Sequence, residues 1–106
     1  MENGQSLAGY QRAALLRQAH SLSPVAMVGK QGATQSLVAH VDQELDNHEL
    51  IKVRFSDFKD ERRSLAEELS EQTGAILVAV LGHVAILYRA AEDPADRRIS
   101  VPVRKT

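Results

Sequence analysis

The chain has no cysteine and no tryptophan, only two tyrosines and two phenylalanines, and three prolines. No apolar stretch approaches the roughly 20 residues of a membrane-spanning helix. Each shortage excludes something. Without cysteine there is no disulfide, no thiol nucleophile and no cysteine-ligated zinc or iron–sulfur centre, and a reducing compartment is compatible. With aromatics at 4%, a platform of exposed rings is hard to build. Tyr10, Phe55, Phe58 and Tyr88 are the whole supply, and Phe55 and Tyr88 fall on core positions of their apolar patterns. The opening MENGQSLAGYQR lacks the apolar centre of a signal peptide, so a cytoplasmic location with no membrane contact is expected. Catalytic signatures are also missing. There is no G-x-S-x-G and no H-E-x-x-H. Gly29-Lys30 lacks the upstream glycine and following Ser or Thr of a Walker A loop, so an enzyme is not expected.

What is present suffices for one domain. The chain has 106 residues, 43% hydrophobic, enough for a modest core. Net charge is −1, but it is unevenly spread. Residues 1–40 carry three basic residues (Arg12, Arg17, Lys30) against Glu2, residues 41–74 carry five basic and ten acidic, and residues 75–106 carry five basic and three acidic. A surface polarised in this way can bind a polyanion on one side although the total is near zero.

The stretch Val25–Thr34, VAMVGKQGAT, organises the rest. It predicts a strand, a turn bracketed by Gly29 and Gly32, and a helix capped by Thr34. Glycines at both ends admit positive φ and close approach of another backbone. The free amides of the helix N-terminus and the Lys30 charge face the same space, which suits an anion, a phosphate above all. By itself a G-x-x-G is also an ordinary strand-to-helix turn.

Before the loop, Ala8 to about Ser21 is helical, with Leu15, Leu16 and Ala19 on one face and Arg12 and Arg17 outside it. Ser23-Pro24 ends that helix. The apolar run Val25–Val28 predicts a strand covered on both faces. After the loop, Leu37, Val38, Val41 and Leu45 form the buried stripe of a helix ending near Asn47-His48. Leu50–Phe55 alternates, with Ile51, Val53 and Phe55 inward and Lys52 and Arg54 outward. Asp57 or Asp60 is expected to cap a third helix, with Leu65, Ala66, Leu69 and Thr73 inward and Gly74 ending it. Ala75–Leu81 is the most apolar run and predicts a central strand. Gly82-His83 turns it into a hairpin with Val84–Arg89. From Ala90 an extended tail is expected along the sheet edge. The order is α-β-α-β-α-β-β: an α/β fold with a mixed four-stranded sheet packed with helices, the first three strands parallel and the last hairpin antiparallel.

Four segments, LRQAHSLSPVAMVGKQGAT (16–34), NHELIKVRF (47–55), TGAILVAVLGHVAILYR (73–89) and RRISVP (97–102), resemble the YhbY-type RNA-binding proteins of the CRM family, named for chloroplast RNA splicing and ribosome maturation. The likeness runs from about Leu7 to Pro102. It implies a domain over residues 7–102; outside the likeness, residues 1–6 are expected to be a flexible tail and 103–106 a short one. It also implies a fold similar to the C-terminal domain of bacterial translation initiation factor three, with a GxxG loop like that of KH modules. Stand-alone bacterial members of the family are associated with precursors of the large ribosomal subunit, and plant relatives with group II intron splicing. The implied partners are ribosomal RNA and the precursor large subunit, with no small-molecule substrate, no cofactor and no metal.

On this basis the RNA-binding candidates are Gly29, Lys30, Gln31, Gly32 and Thr34, with amides near Gly32–Thr34 on phosphate. Arg12 and Arg17 are expected to extend the basic surface, from a helix lying beside the first strand. Lys52 and Arg54 are further candidates. Recognition is expected to rest on shape and backbone rather than base stacking. Three other features of the sequence carry polar or charged groups in a pattern. His40, Glu44 and His48 recur every four residues and share one side of a helix, a spacing compatible with a metal but equally with a polar ladder. His48-Glu49 are neighbours with no nucleophile converging on them. The acidic third helix (Asp60, Glu61, Glu67, Glu68, Glu71) suits a protein partner, the alternative to direct RNA binding. The sequence sets no oligomeric state.

Overall fold

The computed structural model describes residues 7–56 and 60–103. The elements are α1 (Gly9–Ala19), β1 (Pro24–Val28), α2 (Gln35–His48), β2 (Leu50–Phe55), α3 (Arg62–Thr73), β3 (Ile76–Leu81) and β4 (Val84–Tyr88), followed by a 3-10 turn at Pro94–Asp96. The expected order holds. No described helix is long and apolar enough to cross a membrane.

The sheet order is β1-β2-β4-β3. β1 and β2 are parallel, and β4 is antiparallel to both β2 and β3. The first three strands therefore run the same way, as their helical crossovers require. β3, however, is an edge strand and not the central one. The hairpin returns β4 into the gap beside β2 and leaves β3 outside. β4 is buried from Ala85 to Tyr88, whereas Leu81 at the end of β3 is 56% exposed. The apolar run of β3 reflects cover on its two faces, not a position in the middle.

Both faces carry helices. α2 packs on β1 and β2, α3 on β3 and β4, and the two helices touch each other. Val41 and Leu45 of α2 and Ala66 and Leu69 of α3 close over Val28, Val53, Phe55 and Leu87. On the opposite face α1 lies on β2 and β3, with Leu15 and Ala19 against Leu50, Val78, Ile86 and Tyr88. Each fully buried leucine or phenylalanine contributes about 1.5–3 kcal/mol, so these two layers supply the main stabilisation. β1 was expected to be covered on both faces, but only Ala26 and Val28 are buried, and Met27 is 53% exposed.

Local chemistry explains most boundaries. The Leu37 amide donates to Thr34 Oγ1 at 3.1 Å, the expected cap of α2. Gly74 ends α3 in the left-handed region at φ 73°. The start of α3 differs from expectation. Its N-cap is Glu61, with no side-chain cap bond, rather than Asp60; Asp57 lies outside the described residues, as does Phe58.

The segment after β4 does not follow the sheet edge. Ile99 and Val101 pack beneath α1. Gln18 Oε1 accepts from the Ser100 amide, Gln18 Nε2 donates to the Ser100 carbonyl, and Gln11 Nε2 donates to the Pro102 carbonyl. The anchor is Glu49. Its buried carboxylate accepts from the amides of Ala91 (2.6 Å), Arg98 (2.6 Å) and Ile99 (3.0 Å). Burial raises the pKa of this carboxyl, but the three amides and the nearby Arg97 charge outweigh it and hold the group below the ordinary carboxylate range. The backbone of Glu49 sits at φ 65°, ψ −43°, a strained position for a residue with a side chain.

Candidate functional site

Two short hydrogen bonds shape the loop after β1. The Gly32 amide donates to the Gly29 carbonyl, and the Thr34 amide to the Gly32 carbonyl, both at 3.0 Å. Gly32 takes φ 73°, so the backbone conformation favours glycine there. Gly29 is not left-handed, and a Cβ built on it meets nothing within 4 Å. The expectation of positive φ at both glycines is therefore corrected at Gly29: the fold itself does not demand glycine at that position.

The internal bonds also change which amides are free. Those of Gly32 and Thr34 are engaged, and that of Leu37 is taken by the cap. Among the described residues, the first-turn amides of Gln35 and Ser36 have no protein acceptor, as the geometry of a helix N-terminus dictates. They carry the positive end of the α2 dipole. Lys30 and Gln31 stand exposed at the tip. Beside them runs a groove of about 380 Å³, lined by Met27, Gly29, Lys30, Gln31, Gly32, Thr34 and Leu37. Fixed amides, one full cation and an open floor at Gly29 can hold an oxyanion such as a phosphate.

The other predicted residues fall in different places. Arg12 Nε donates to the Val78 carbonyl of β3 at 2.8 Å, on the strand at the far edge from β1. α1 packs on β2 and β3, so the picture of this helix lying beside β1 is replaced. Arg17 is exposed on α1. Lys52 Nζ donates to the carbonyls of His20 and Leu22 and staples the α1–β1 turn to β2. Arg54 is exposed and is the register partner of Met27, and so adjoins the loop groove. His40 Nε2 donates to the Val25 carbonyl at 2.9 Å, and His48 lies 3.3 Å from Glu44. No three metal-ligating side chains converge among the described residues.

Sequence patterns missed two participants at the loop end of the sheet. The apolar neighbours of Met27 place it in the core by pattern; its position on an edge strand exposes it. Arg62, at the start of α3, donates to the Gly82 carbonyl at 3.1 Å and to His83 Nδ1 at 2.9 Å, and so fixes the β3–β4 turn near the ends of the other strands. No sequence signal pairs positions 62 and 83. The opposite end of the sheet is acidic. A hollow of about 710 Å³ there is lined by Asp42, Asp46, Glu49, Glu92, Asp93 and Asp96, with Arg89 and Arg98 among them. Arg89 binds Asp42 at 2.6 Å and Asp46 at 2.8 Å. The glycine loop lies at the opposite end of the strands from this hollow.

Residues 7–89 match the CRS1 / YhbY (CRM) domain. The chain is 37% identical to an RNA-binding protein of Haemophilus influenzae over 76 residues, covering 71% of this chain and 77% of that one. It is 29% identical to the "Probable RNA-binding protein YqeI" of Bacillus subtilis over 97 residues, 91% of this chain and 99% of that one. The solution structure of a hypothetical protein of Staphylococcus aureus, described as a candidate RNA-binding protein, superposes with a TM-score of 0.74 at 34% identity, covering 90% of this chain and all of that one.

Proposed function

We propose, from the premise that this chain belongs to the CRS1 / YhbY (CRM) domain family, that it binds structured ribosomal RNA on precursor large ribosomal subunits in the cytoplasm. It does so through the backbone-facing loop Gly29–Thr34. One observation carries this reading: Lys30, unpaired among the described residues, and open space above Gly29 border a single groove that reaches Thr34, the cap of the α2 N-terminus, where the Gln35 and Ser36 amides are free. Close approach at Gly29 lets a sugar–phosphate backbone lie on the loop. Lys30 neutralises one phosphate, and the α2 dipole favours the anion. Arg54, the register partner of Met27, adds charge beside it, while Arg17 lies near the end of α1 that packs by Leu50 and Tyr88, away from the loop. Arg12 and Lys52 contribute less, because each is engaged with protein carbonyls. Binding of this kind holds an RNA segment in place without a chemical step, and no catalytic role is assigned.

The test is sedimentation of the protein in cell extract at low and high salt, beside a Lys30→Asp, Gln31→Asp variant. Those exposed changes add negative charge while keeping both glycines and the Thr34 cap. The expected result is that the normal protein travels with a large-subunit precursor, leaves it at high salt, and the variant stays at the top. Co-migration of both forms refutes the loop assignment. Absence of any association with particles or RNA refutes ribosomal RNA as partner and moves a protein-binding role forward.

A further inference from the structure

One row of residues crosses all four strands at the loop end of the sheet. Met27 is the register partner of Arg54, Arg54 of Val84, and Val84 of Leu81. Registered neighbours point to the same face, here the face that carries α1, because Val84 packs partly against the α1 cluster. Deeper positions on that face are covered: Leu50, Ile86 and Tyr88 lie beneath α1 and the tail, and Lys52 bonds the α1–β1 turn. The row is left open at both ends, with Met27 53% and Leu81 56% exposed. Arg54 between them is exposed, and its guanidinium has no hydrogen bond or ion pair among the described residues. With a strand spacing of about 4.8 Å, three steps give a strip roughly 14 Å long. It is continuous with the loop groove. Met27 lines that groove and also an adjoining one of about 360 Å³ with Pro24, Val25, Ala26 and Arg54.

We propose that this row docks one or two unpaired nucleotides of the same RNA whose backbone the Gly29–Thr34 loop holds; the proposal rests on that assignment. A nucleotide joins an anion to a flat, largely apolar base. The row offers the complement, a lone planar cation between two aliphatic side chains. A guanidinium is weakly hydrated and stacks on the face of a base, which an ammonium does not do as well. The base faces of helical RNA are hidden by stacking, so only an unpaired nucleotide can use the strip. The protein would therefore favour a junction between duplex and single strand over a duplex alone. This places a base contact in a chain with very few aromatics.

The probes are a short blunt RNA duplex and the same duplex carrying an unpaired adenosine run at one end, with binding followed by fluorescence anisotropy at fixed salt. The readout is the ratio of the two affinities, which cancels contacts common to both. The normal protein is expected to prefer the tailed duplex by about tenfold. Arg54→Lys keeps the charge and removes the plane, and brings the ratio close to one. The Met27→Ser, Leu81→Ser pair does the same without touching any charge. Thermal unfolding confirms that these exposed substitutions leave the fold intact. A ratio near one in the normal protein, with the duplex still bound and still weakened by Lys30→Asp, overturns the strip and leaves the loop assignment standing. A ratio that survives both sets of substitutions also overturns it, and leaves the row open to a protein partner. Failure of the normal protein to bind either RNA removes the loop assignment and the strip with it.

Discussion

Replacing Gly29 and Gly32 with alanine, one at a time, separates what the loop does for the fold from what it does for binding. At Gly32 the backbone is left-handed at φ 73°, and a Cβ meets only Leu65 Cδ2 at 3.6 Å, an ordinary contact. The cost is therefore conformational, about 1–2 kcal/mol for an L-residue in that region. It is partly offset by the roughly 0.4–1 kcal/mol that alanine removes from the entropy of the unfolded chain. A net loss of about 1 kcal/mol lowers Tm by roughly 5 °C in a domain of this size. At Gly29 neither penalty applies. The backbone is not left-handed, and nothing lies within 4 Å of the new methyl, so Gly29→Ala is expected to be neutral or stabilising by up to about 1 kcal/mol. Its methyl would nevertheless occupy the floor of the groove, where an approaching sugar–phosphate must come close, and RNA affinity is expected to fall about tenfold. Urea unfolding and binding to a structured ribosomal RNA fragment measure the two quantities on the same samples. Gly29→Ala protein that is stable and binds RNA normally refutes the close-approach argument. Gly29→Ala protein as unstable as Gly32→Ala refutes the account of the loop backbone.

Glu49→Gln leaves three amides facing one carbonyl oxygen and an amide group that is itself a donor. A loss of about 2–3 kcal/mol is expected in denaturant unfolding, with faster proteolysis after Ala90. The same anchor predicts a pH response. Because the folded pKa of Glu49 lies below its ordinary value of 4.5, its contribution is complete above that value and is lost as pH falls through the folded pKa. The normal protein should therefore lose stability in acid more steeply than Glu49→Gln, and an equal slope in thermal melts would count against it. Thr34→Ala removes the α2 cap and should cost about 1 kcal/mol, read from the urea midpoint. Lys30→Gln should reduce the slope of log K against log salt by about 1 and weaken all RNA sequences alike; a sequence-selective loss would show that Lys30 reads bases instead.

What the chain alone determined is what acts within a turn or along one element. Thr34 caps α2 because its hydroxyl reaches an amide three residues on, and Gly74 ends α3 because it alone there adopts φ 73° cheaply. Alternation in Leu50–Phe55 identified the face of Ile51, Val53 and Phe55, although the opposite face, expected to be open, carries α1 over Leu50 and leaves only Arg54 exposed; the order of elements followed from the same periodicities. The glycine loop was legible for the same reason, since strand, turn and helix start are contiguous. Only the tertiary structure decided matters that join distant positions. The insertion of β4 beside β2 made β3 an edge, and an edge position exposed Met27 where an apolar run had suggested core. α1 settled on β2 and β3, which tied Arg12 to Val78, 66 positions away, and withdrew it from the loop. Glu49 looked like one more acidic residue of the middle segment, yet its carboxylate gathers amides 42 to 50 positions away and directs the tail beneath α1. Periodicity records which side of an element is apolar. It carries no record of which partner covers that side, because strand order and long-range polar contacts are set by the packing of all the elements at once.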